Sequence, residues 1–125
     1  MEQTSEKALL NWDVFVTPGI SIVTRDLPPG VREAYFQAMA STLIYGMRDA
    51  VLVDAFMTVK QANALADWVA AKGRNLTTIY ITHGHGDHWF GIGTLLERFP
   101  NARTGQFLGG PRYTSVVTME LPRCD

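Results

Sequence analysis

The chain has 125 residues, a length that suits one domain. Hydrophobic residues make up 46% of it and charged residues 18%, which is an ordinary globular balance without the signature of disorder. The 11 Lys and Arg residues are scattered and are offset by 12 Asp and Glu residues, so nothing in the composition indicates a nucleic-acid partner.

The sequence offers no membrane segment and only one thiol. No stretch approaches the roughly 18 apolar residues that span a bilayer. The apolar residues after the polar N-terminus are interrupted by Asn11 and Asp13, so we expect neither a membrane partner nor a secretory leader. Cys124 is the only cysteine, which excludes an intrachain disulfide and fits a reducing compartment. We therefore expect a cytoplasmic protein.

Short strands and loops are predicted for the first third of the chain. Alternating apolar residues predict strands over residues 12–16 and 20–24. Residues 27–30 contain two prolines and a glycine, so they are predicted to form a loop. Residues 31–40 are compatible with either a short helix or an irregular crossing.

A hairpin and a helix are predicted next. Apolar runs at residues 41–46 and 50–54 predict two paired strands, and the second is apolar on both faces, as expected of a central strand. Apolar residues at helical spacing predict a helix over residues 59–72, with Gly73 at the expected C-terminal cap.

The remainder of the chain continues this alternation and then changes character. A buried strand is predicted over residues 76–81, followed by a glycine-punctuated loop and a helix over residues 92–99 that Pro100 stops. This order of elements indicates an α/β domain. Residues 104–125 lack the earlier periodicity, although residues 113–119 could form a strand.

All three histidines lie within the six residues His83-Gly84-His85-Gly86-Asp87-His88. A merely solvated loop would not need these side chains together. In an extended segment, side chains two apart point to the same side, so His83 and His85 can converge on one metal ion. Glycines 84 and 86 allow backbone conformations closed to other residues, which would direct Asp87 and His88 to a second ion. Imidazole nitrogen and carboxylate oxygen both suit zinc.

The run Thr82-His83-Gly84-His85-Gly86-Asp87-His88-Trp89-Phe90-Gly91 resembles the H-x-H-x-D-H signature of the metallo-β-lactamase superfamily. Upstream, Val51-Leu52-Val53-Asp54 is similar to the strand that ends in this family's first aspartate. The resemblance implies that residues 1–103 form the N-terminal half of a metallo-β-lactamase αββα sandwich, a mixed β-sheet with flanking helices. Residues 104–125 would be a divergent C-terminal tail.

The resemblance also implies a site for one or two zinc ions, with other divalent transition metals as alternatives. His83 and His85 match ligands of the first metal, and Asp87 and His88 match ligands of the second. Asp87 also matches the catalytic group that orients or deprotonates the attacking water. Asp54 matches a residue that braces the metal loop through hydrogen bonds, although an acidic residue closing a strand is equally ordinary in a turn.

This sequence departs from the family after His88. The family completes its site with a later histidine, a bridging aspartate and a further histidine, whereas no histidine follows His88 here. Either Cys124 and Asp125 substitute, or the chain is the N-terminal part of a longer domain, which we favour. Half a sandwich would leave an apolar sheet face uncovered, so we also expect self-association through that face.

Two functions are therefore expected from the resemblance. The first is a zinc-dependent hydrolase in which a metal-bound hydroxide attacks a carbonyl, phosphoryl or sulfuryl centre of a small-molecule substrate. The alternative is a non-catalytic truncated remnant, or a metal-binding module, with little or no hydrolase activity. The motif does not select one substrate, because the same ligands serve many of these reactions.

Overall fold

The structure is a computed structural model and describes residues 10–22, 25–108 and 115–118. Within these ranges the chain forms the following elements, in order: β1 (Asn11–Thr17), β2 (Ile20–Ile22), β3 (Ala34–Phe36), β4 (Met39–Tyr45), β5 (Asp49–Val53), α1 (Val59–Ala71), β6 (Asn75–Ile81), α2 (Gly86–Trp89), α3 (Ile92–Arg98), β7 (Arg103–Leu108) and β8 (Ser115–Thr118).

Six of these strands form one mixed sheet in the order β1-β4-β5-β6-β7-β8, and β2 pairs with β3 in a separate two-stranded sheet. The β5–β6 and β6–β7 pairs are parallel, whereas the other pairs in the large sheet are antiparallel. The hairpin predicted at residues 41–54 is confirmed as β4 and β5, and β5 is central. The predicted α/β class is confirmed.

Helix α1 begins and ends where its sequence predicts. Thr58 and Gln61 form a capping box, in which each side chain accepts a hydrogen bond from the other residue's backbone N–H. Gly73 follows the C-cap with φ of 67°, a left-handed conformation that glycine adopts without steric cost. The helix presents Leu65 and Val69, both buried, to the sheet.

The hydrophobic core lies between the helices and one face of the sheet. The fully buried residues include Leu43, Leu52 and Ile79 from the sheet, and Leu65 and Leu95 from the helices. Burial of each such side chain contributes about 1.5–3 kcal/mol. This core fixes β5 and β6 side by side, and the candidate site is built at their ends.

The opposite face of the sheet is apolar as well. Trp12, Val14 and Val16 alternate along β1 and are 71%, 40% and 61% exposed. Trp12 is paired with Ile44 of β4, which is 37% exposed. None of the helices that the structure describes is long and apolar enough to cross a membrane.

Two predicted segments differ in detail. Residues 31–40, expected to be a short helix or an irregular crossing, contain strand β3 and the start of β4 instead. They do so because β3 and β4 find strand partners elsewhere in the chain, which local periodicity does not reveal. The strand expected at residues 20–24 is observed as β2, and its last two residues lie outside the described part.

Strands β7 and β8 extend the sheet beyond residue 103. Strand β8 confirms the strand that residues 113–119 allowed. The division of the chain into residues 1–103 and 104–125 stays a prediction. Cys124 and Asp125, which were considered as substitute ligands, lie outside the described residues.

Candidate metal centre

The candidate site lies where two adjacent parallel strands end. Asp54 directly follows β5, and Thr82 directly follows β6. Thr82 leads into residues 83–88, which carry the three histidines and are called the histidine loop. The backbone N–H of Asp54 donates to the carbonyl of Tyr80 over 2.8 Å, so strand pairing continues up to the site. The carboxyl ends of parallel strands are the usual place for sites in α/β sheets.

Backbone hydrogen bonds tie the segment after β5 to the histidine loop. Ala55 N–H donates to the carbonyl of His88 at 2.7 Å, and Gly91 N–H donates to that of Phe56 at 3.0 Å. A Cβ atom at Gly91 would lie 2.0 Å from the carbonyl oxygen of Ala55, so only glycine fits there. The histidine loop is thus held on the strand end by its own backbone.

Asp54 itself has an unusual backbone. Its φ is 69°, in the left-handed region that aspartate tolerates better than most residues. The buried hydroxyl of Ser41 lies 2.9 Å from the carbonyl oxygen of Val53 and 2.8 Å from that of Asp54, and donates to this pair. These contacts hold the backbone at the end of β5.

The Asp54 carboxylate is almost completely buried and is surrounded by donors. Thr82 N–H donates to Oδ1 at 2.9 Å, and the Thr82 hydroxyl lies 3.0 Å from both carboxylate oxygens. Nδ1 of His88 lies 2.8 Å from Oδ2. A buried carboxylate is costly unless it accepts such hydrogen bonds. Asp54 therefore holds the loop through Thr82 and His88 together.

The structure brings the three imidazole rings together. The ring centroids of His83 and His88 are 4.0 Å apart, and those of His83 and His85 are 4.7 Å apart. Nε2 of His88 lies 3.3 Å from Oδ2 of Asp87. His85 is exposed, whereas His83, Asp87 and His88 are partly buried, so the cluster opens to solvent on one side.

The hydrogen bonds of His88 show why this cluster suits a cation. An ionised carboxylate only accepts, so Nδ1 of His88 donates to Asp54. Nε2 of the same ring lies 3.3 Å from Oδ2 of Asp87. Zinc takes carboxylate oxygen and the imidazole nitrogen that carries no hydrogen, so these two atoms would both serve as its ligands. The donor chemistry fits the metal.

The number of donors is smaller than a catalytic zinc requires. Such a zinc usually has three protein ligands. Among the described residues, no group of three or more His, Cys, Asp and Glu side chains is arranged to hold a metal ion. The described part of the chain therefore provides donor pairs rather than a closed coordination shell.

The expected role of the glycines needs correction at Gly86. The sequence predicted a loop in which Gly84 and Gly86 adopt conformations closed to other residues, but neither is among the described glycines with φ in the left-handed region. Gly86 instead begins the short helix α2, which the sequence did not predict. A Cβ atom there would lie 2.4 Å from the ring of Phe90, so that exposed ring would have to move for any larger residue.

Two residues of the site have contacts that sequence reasoning missed. Thr82 contacts both Asp54 and His83, since its hydroxyl lies 2.9 Å from Nδ1 of His83. Trp89 donates its indole N–H to the carbonyl of Gly84 over 3.1 Å, which closes the loop on itself. Both residues flank the histidine motif in the sequence, which was the only sign of their importance. Position in the sequence does not show which group a side chain hydrogen-bonds to.

The family assignment rests on a match over more than half of the chain. The sequence model of the Metallo-beta-lactamase superfamily matches residues 38–105. The match includes Asp54 and the complete histidine loop. This chain belongs to the metallo-beta-lactamase superfamily. The resemblance found in the sequence is confirmed, together with the mixed sheet and flanking helices that it implied.

Curated relatives within the superfamily include two hydrolases. The chain is 33% identical over 71 residues to a hydroxyacylglutathione hydrolase of Francisella tularensis subsp. holarctica, covering 57% of this chain and 27% of that protein. It is 32% identical over 72 residues to the exodeoxyribonuclease WalJ of Streptococcus pneumoniae serotype 2, and the match covers 54% of this chain and 27% of that protein. The chain thus spans about a quarter of the length of these relatives.

Solved structures include metallo-beta-lactamase SMB-1 bound to 2-mercaptoethanesulfonate. This chain is 26% identical to it, with a TM-score of 0.46, over 52% of this chain and 26% of that one.

Proposed function

We propose that this chain provides the metal-binding loop of a zinc-dependent hydrolase. His83 and His85 would hold one ion, and Asp87 and His88 a second, with zinc or another divalent transition metal in each place. The observation that carries the proposal is the convergence of three imidazoles beside Asp87, on a loop that is hydrogen-bonded to Asp54. The names of the curated relatives support hydrolysis as the reaction class.

The residues of the chain would each have a defined task. When bound, the metal supplies Lewis acidity that polarises a substrate oxygen and activates water. Asp87 would accept a hydrogen bond from the attacking water and take its proton, since its carboxylate lies beside the ligands and is reached by solvent. Asp54 would keep His88 in the tautomer that binds metal through Nε2. The substrate is proposed to be a small molecule with a carbonyl, phosphoryl or sulfuryl centre.

A second candidate is a metal-binding but non-catalytic chain. It is favoured by the donor pairs, because the described residues include no group of three ligands and no histidine follows His88 in the sequence. Two protein ligands per ion would give weaker binding than a catalytic site needs. The lone Cys124 supports a cytoplasmic location for either candidate.

Metal content and hydrolysis distinguish these functions. The purified chain is loaded with zinc, dialysed and analysed for metal per chain, beside the double variant His83→Ala/His85→Ala. Asp67→Ala is the matched control, because Asp67 is an exposed carboxylate on α1. Zinc that is retained by the wild type and the control, but lost in the double variant, supports metal binding by the loop. Equal zinc in all three contradicts it.

The same samples are then assayed with a chromogenic lactam and a chromogenic ester. Hydrolysis that a chelator abolishes and zinc restores supports the hydrolase. We expect little turnover from the chain alone, because the described residues offer only two ligands to each ion. Zinc binding without turnover would support the non-catalytic alternative.

A further inference from the structure

We infer that Thr82 is a positioning residue that fixes the ring of His83 in the tautomer whose Nε2 carries the lone pair. Thr82 stands between Asp54 and His83. Its hydroxyl oxygen lies 3.0 Å from each oxygen of the Asp54 carboxylate and 2.9 Å from Nδ1 of His83. Its backbone N–H also donates to Oδ1 of Asp54 at 2.9 Å, so the residue is anchored independently of its side chain.

The direction of these hydrogen bonds follows from the number of hydrogens. The Thr82 hydroxyl has one hydrogen, and an ionised carboxylate can only accept it. If the hydroxyl instead donated to His83, its lone pairs would face both oxygens of Asp54 at 3.0 Å without a hydrogen between them. The hydroxyl therefore donates to Asp54 and accepts from Nδ1–H of His83. The tautomer of a histidine is set by such a partner.

Asp54 would thus orient two histidines by different routes. It accepts directly from Nδ1 of His88, and it acts on His83 through the Thr82 hydroxyl. Both rings then present Nε2, and their centroids are 4.0 Å apart. The inference rests on the proposed function only where it treats His83 as a metal ligand; the tautomer itself is a property of the metal-free chain.

The tautomers can be read directly from the metal-free protein. The full chain, labelled with nitrogen-15, is examined by long-range proton–nitrogen correlation at about pH 8, above the usual pKa of histidine. The chain contains three histidines, and substitution of each by Gln assigns its signals. In the wild type, His83 and His88 are both expected to show a protonated Nδ1 and an unprotonated Nε2. A wild-type His83 with a protonated Nε2 overturns the inference without any variant.

Two substitutions separate the hydroxyl from the shape of the side chain. Thr82→Val keeps the branched shape and removes the hydroxyl, so His83 should lose its single tautomer while His88 keeps its own. Thr82→Ser keeps the hydroxyl and should retain the wild-type pattern. If the nitrogen signals of His83 are the same in Thr82→Val as in the wild type, the hydroxyl does not set the tautomer. Loss of the single His83 tautomer in folded Thr82→Ser would contradict the inference as well.

Zinc affinity provides a second measurement, by competition with a chromogenic chelator. Thr82→Val should weaken zinc binding about 10-fold, the lower end of the range for residues that orient metal ligands, whereas Thr82→Ser should change it little. Unchanged affinity in Thr82→Val would show that the tautomer does not matter for metal. If the wild type binds no zinc, the proposed function fails, but the nitrogen spectra still decide the role of Thr82.

Discussion

Oδ2 of Asp54 lies 2.8 Å from Nδ1 of His88, although the two residues are 34 positions apart in the sequence. This contact joins the end of β5 to the loop that follows β6, and it is possible because the two strands are adjacent and parallel. Since Asp54 is 7% exposed, the bond is shielded from competing water. Hydrogen bonds in such places contribute more than those at the surface.

Asp54→Asn tests whether this contact prepares the metal ligands. The amide can accept from Thr82 through its oxygen, but its NH₂ group would then face the N–H of His88, and two donors repel. His88 would have to turn or change tautomer, so zinc affinity should fall about 10- to 100-fold. Chelator competition measures the affinity, and circular dichroism confirms that the variant is folded.

Asp67→Asn is the matched control, because it makes the same chemical change at an exposed carboxylate on α1 that pairs with Arg98. Its zinc affinity should equal that of the wild type. If Asp54→Asn binds zinc as tightly as Asp67→Asn does, Asp54 has no part in metal binding.

Gly91 and Gly93 should respond to alanine in opposite directions. At Gly91 the new Cβ would lie 2.0 Å from the carbonyl oxygen of Ala55 and 3.0 Å from Cβ of Ala62, so the backbone must move. Gly91→Ala should lower the free energy of unfolding by about 1–3 kcal/mol or more. At Gly93, in α3, the Cβ would meet nothing within 4 Å. Gly93→Ala should raise it by about 0.5–1 kcal/mol, because alanine favours the helix.

Urea denaturation of the two variants and the wild type measures both changes. Zinc binding should also weaken in Gly91→Ala, because the backbone shift would disturb the hydrogen bond by which the N–H of residue 91 holds the histidine loop to Phe56. A Gly91→Ala variant as stable as the wild type would show that the close approach of the two backbones is not needed.

The sequence predicted the fold where local patterns carry the information. Apolar spacing and the glycine at position 73 were sufficient for α1, and a run apolar on both faces was sufficient for the central strand β5. Residues 31–40 were not predicted, because β3 and β4 are strands through pairing with residues of β2, β1 and β5. That pairing is non-local and leaves no periodic signal.

The same distinction applies to the candidate site. The histidine motif is a local pattern, so its residues could be named in advance, and the family match made Asp54 a candidate. The hydroxyl of Thr82 could not be placed, because one of its two partners, Asp54, is 28 residues away in the sequence and follows a different strand. Gly86 was explained wrongly, because the local sequence does not show that it begins a helix or that a side chain there would meet Phe90, four residues further along.

Removal of the capping box should destabilise α1 without affecting the metal loop. The Thr58 side chain accepts from Gln61 N–H at 3.1 Å, and Oε1 of Gln61 accepts from Thr58 N–H at 3.1 Å. Thr58→Ala should lower the free energy of unfolding by about 1 kcal/mol. Thr58→Ser keeps the hydroxyl and should retain most of the stability that the cap provides. Thermal unfolding compares the three proteins, and equal stability of Thr58→Ala and Thr58→Ser would exclude a role for the cap.

The exposed sheet face should mediate association between copies of this chain. Most residues that point to this face on β1, β4, β5 and β6 are uncharged: Trp12, Val14, Val16, Ala40, Thr42, Ile44, Val51, Val53, Thr78 and Tyr80. Two exposed charged residues share the face, Asp49 at the start of β5 and Arg103 of β7, which is paired with Thr78. Contiguous exposed apolar surface of this kind favours association. We expect dimers whose fraction rises with concentration in sedimentation equilibrium.

Trp12 is the residue whose removal should weaken the dimer most, because it is large, 71% exposed and paired with exposed Ile44. Trp12→Ser should raise the dissociation constant about tenfold or more, as expected for a large aromatic residue that is buried on association. Tyr35→Ser is the control, because Tyr35 is similarly exposed, at 63%, but lies on the separate β2–β3 sheet. If both variants dissociate alike, or the wild type is monomeric at all concentrations, this face does not bind a second copy.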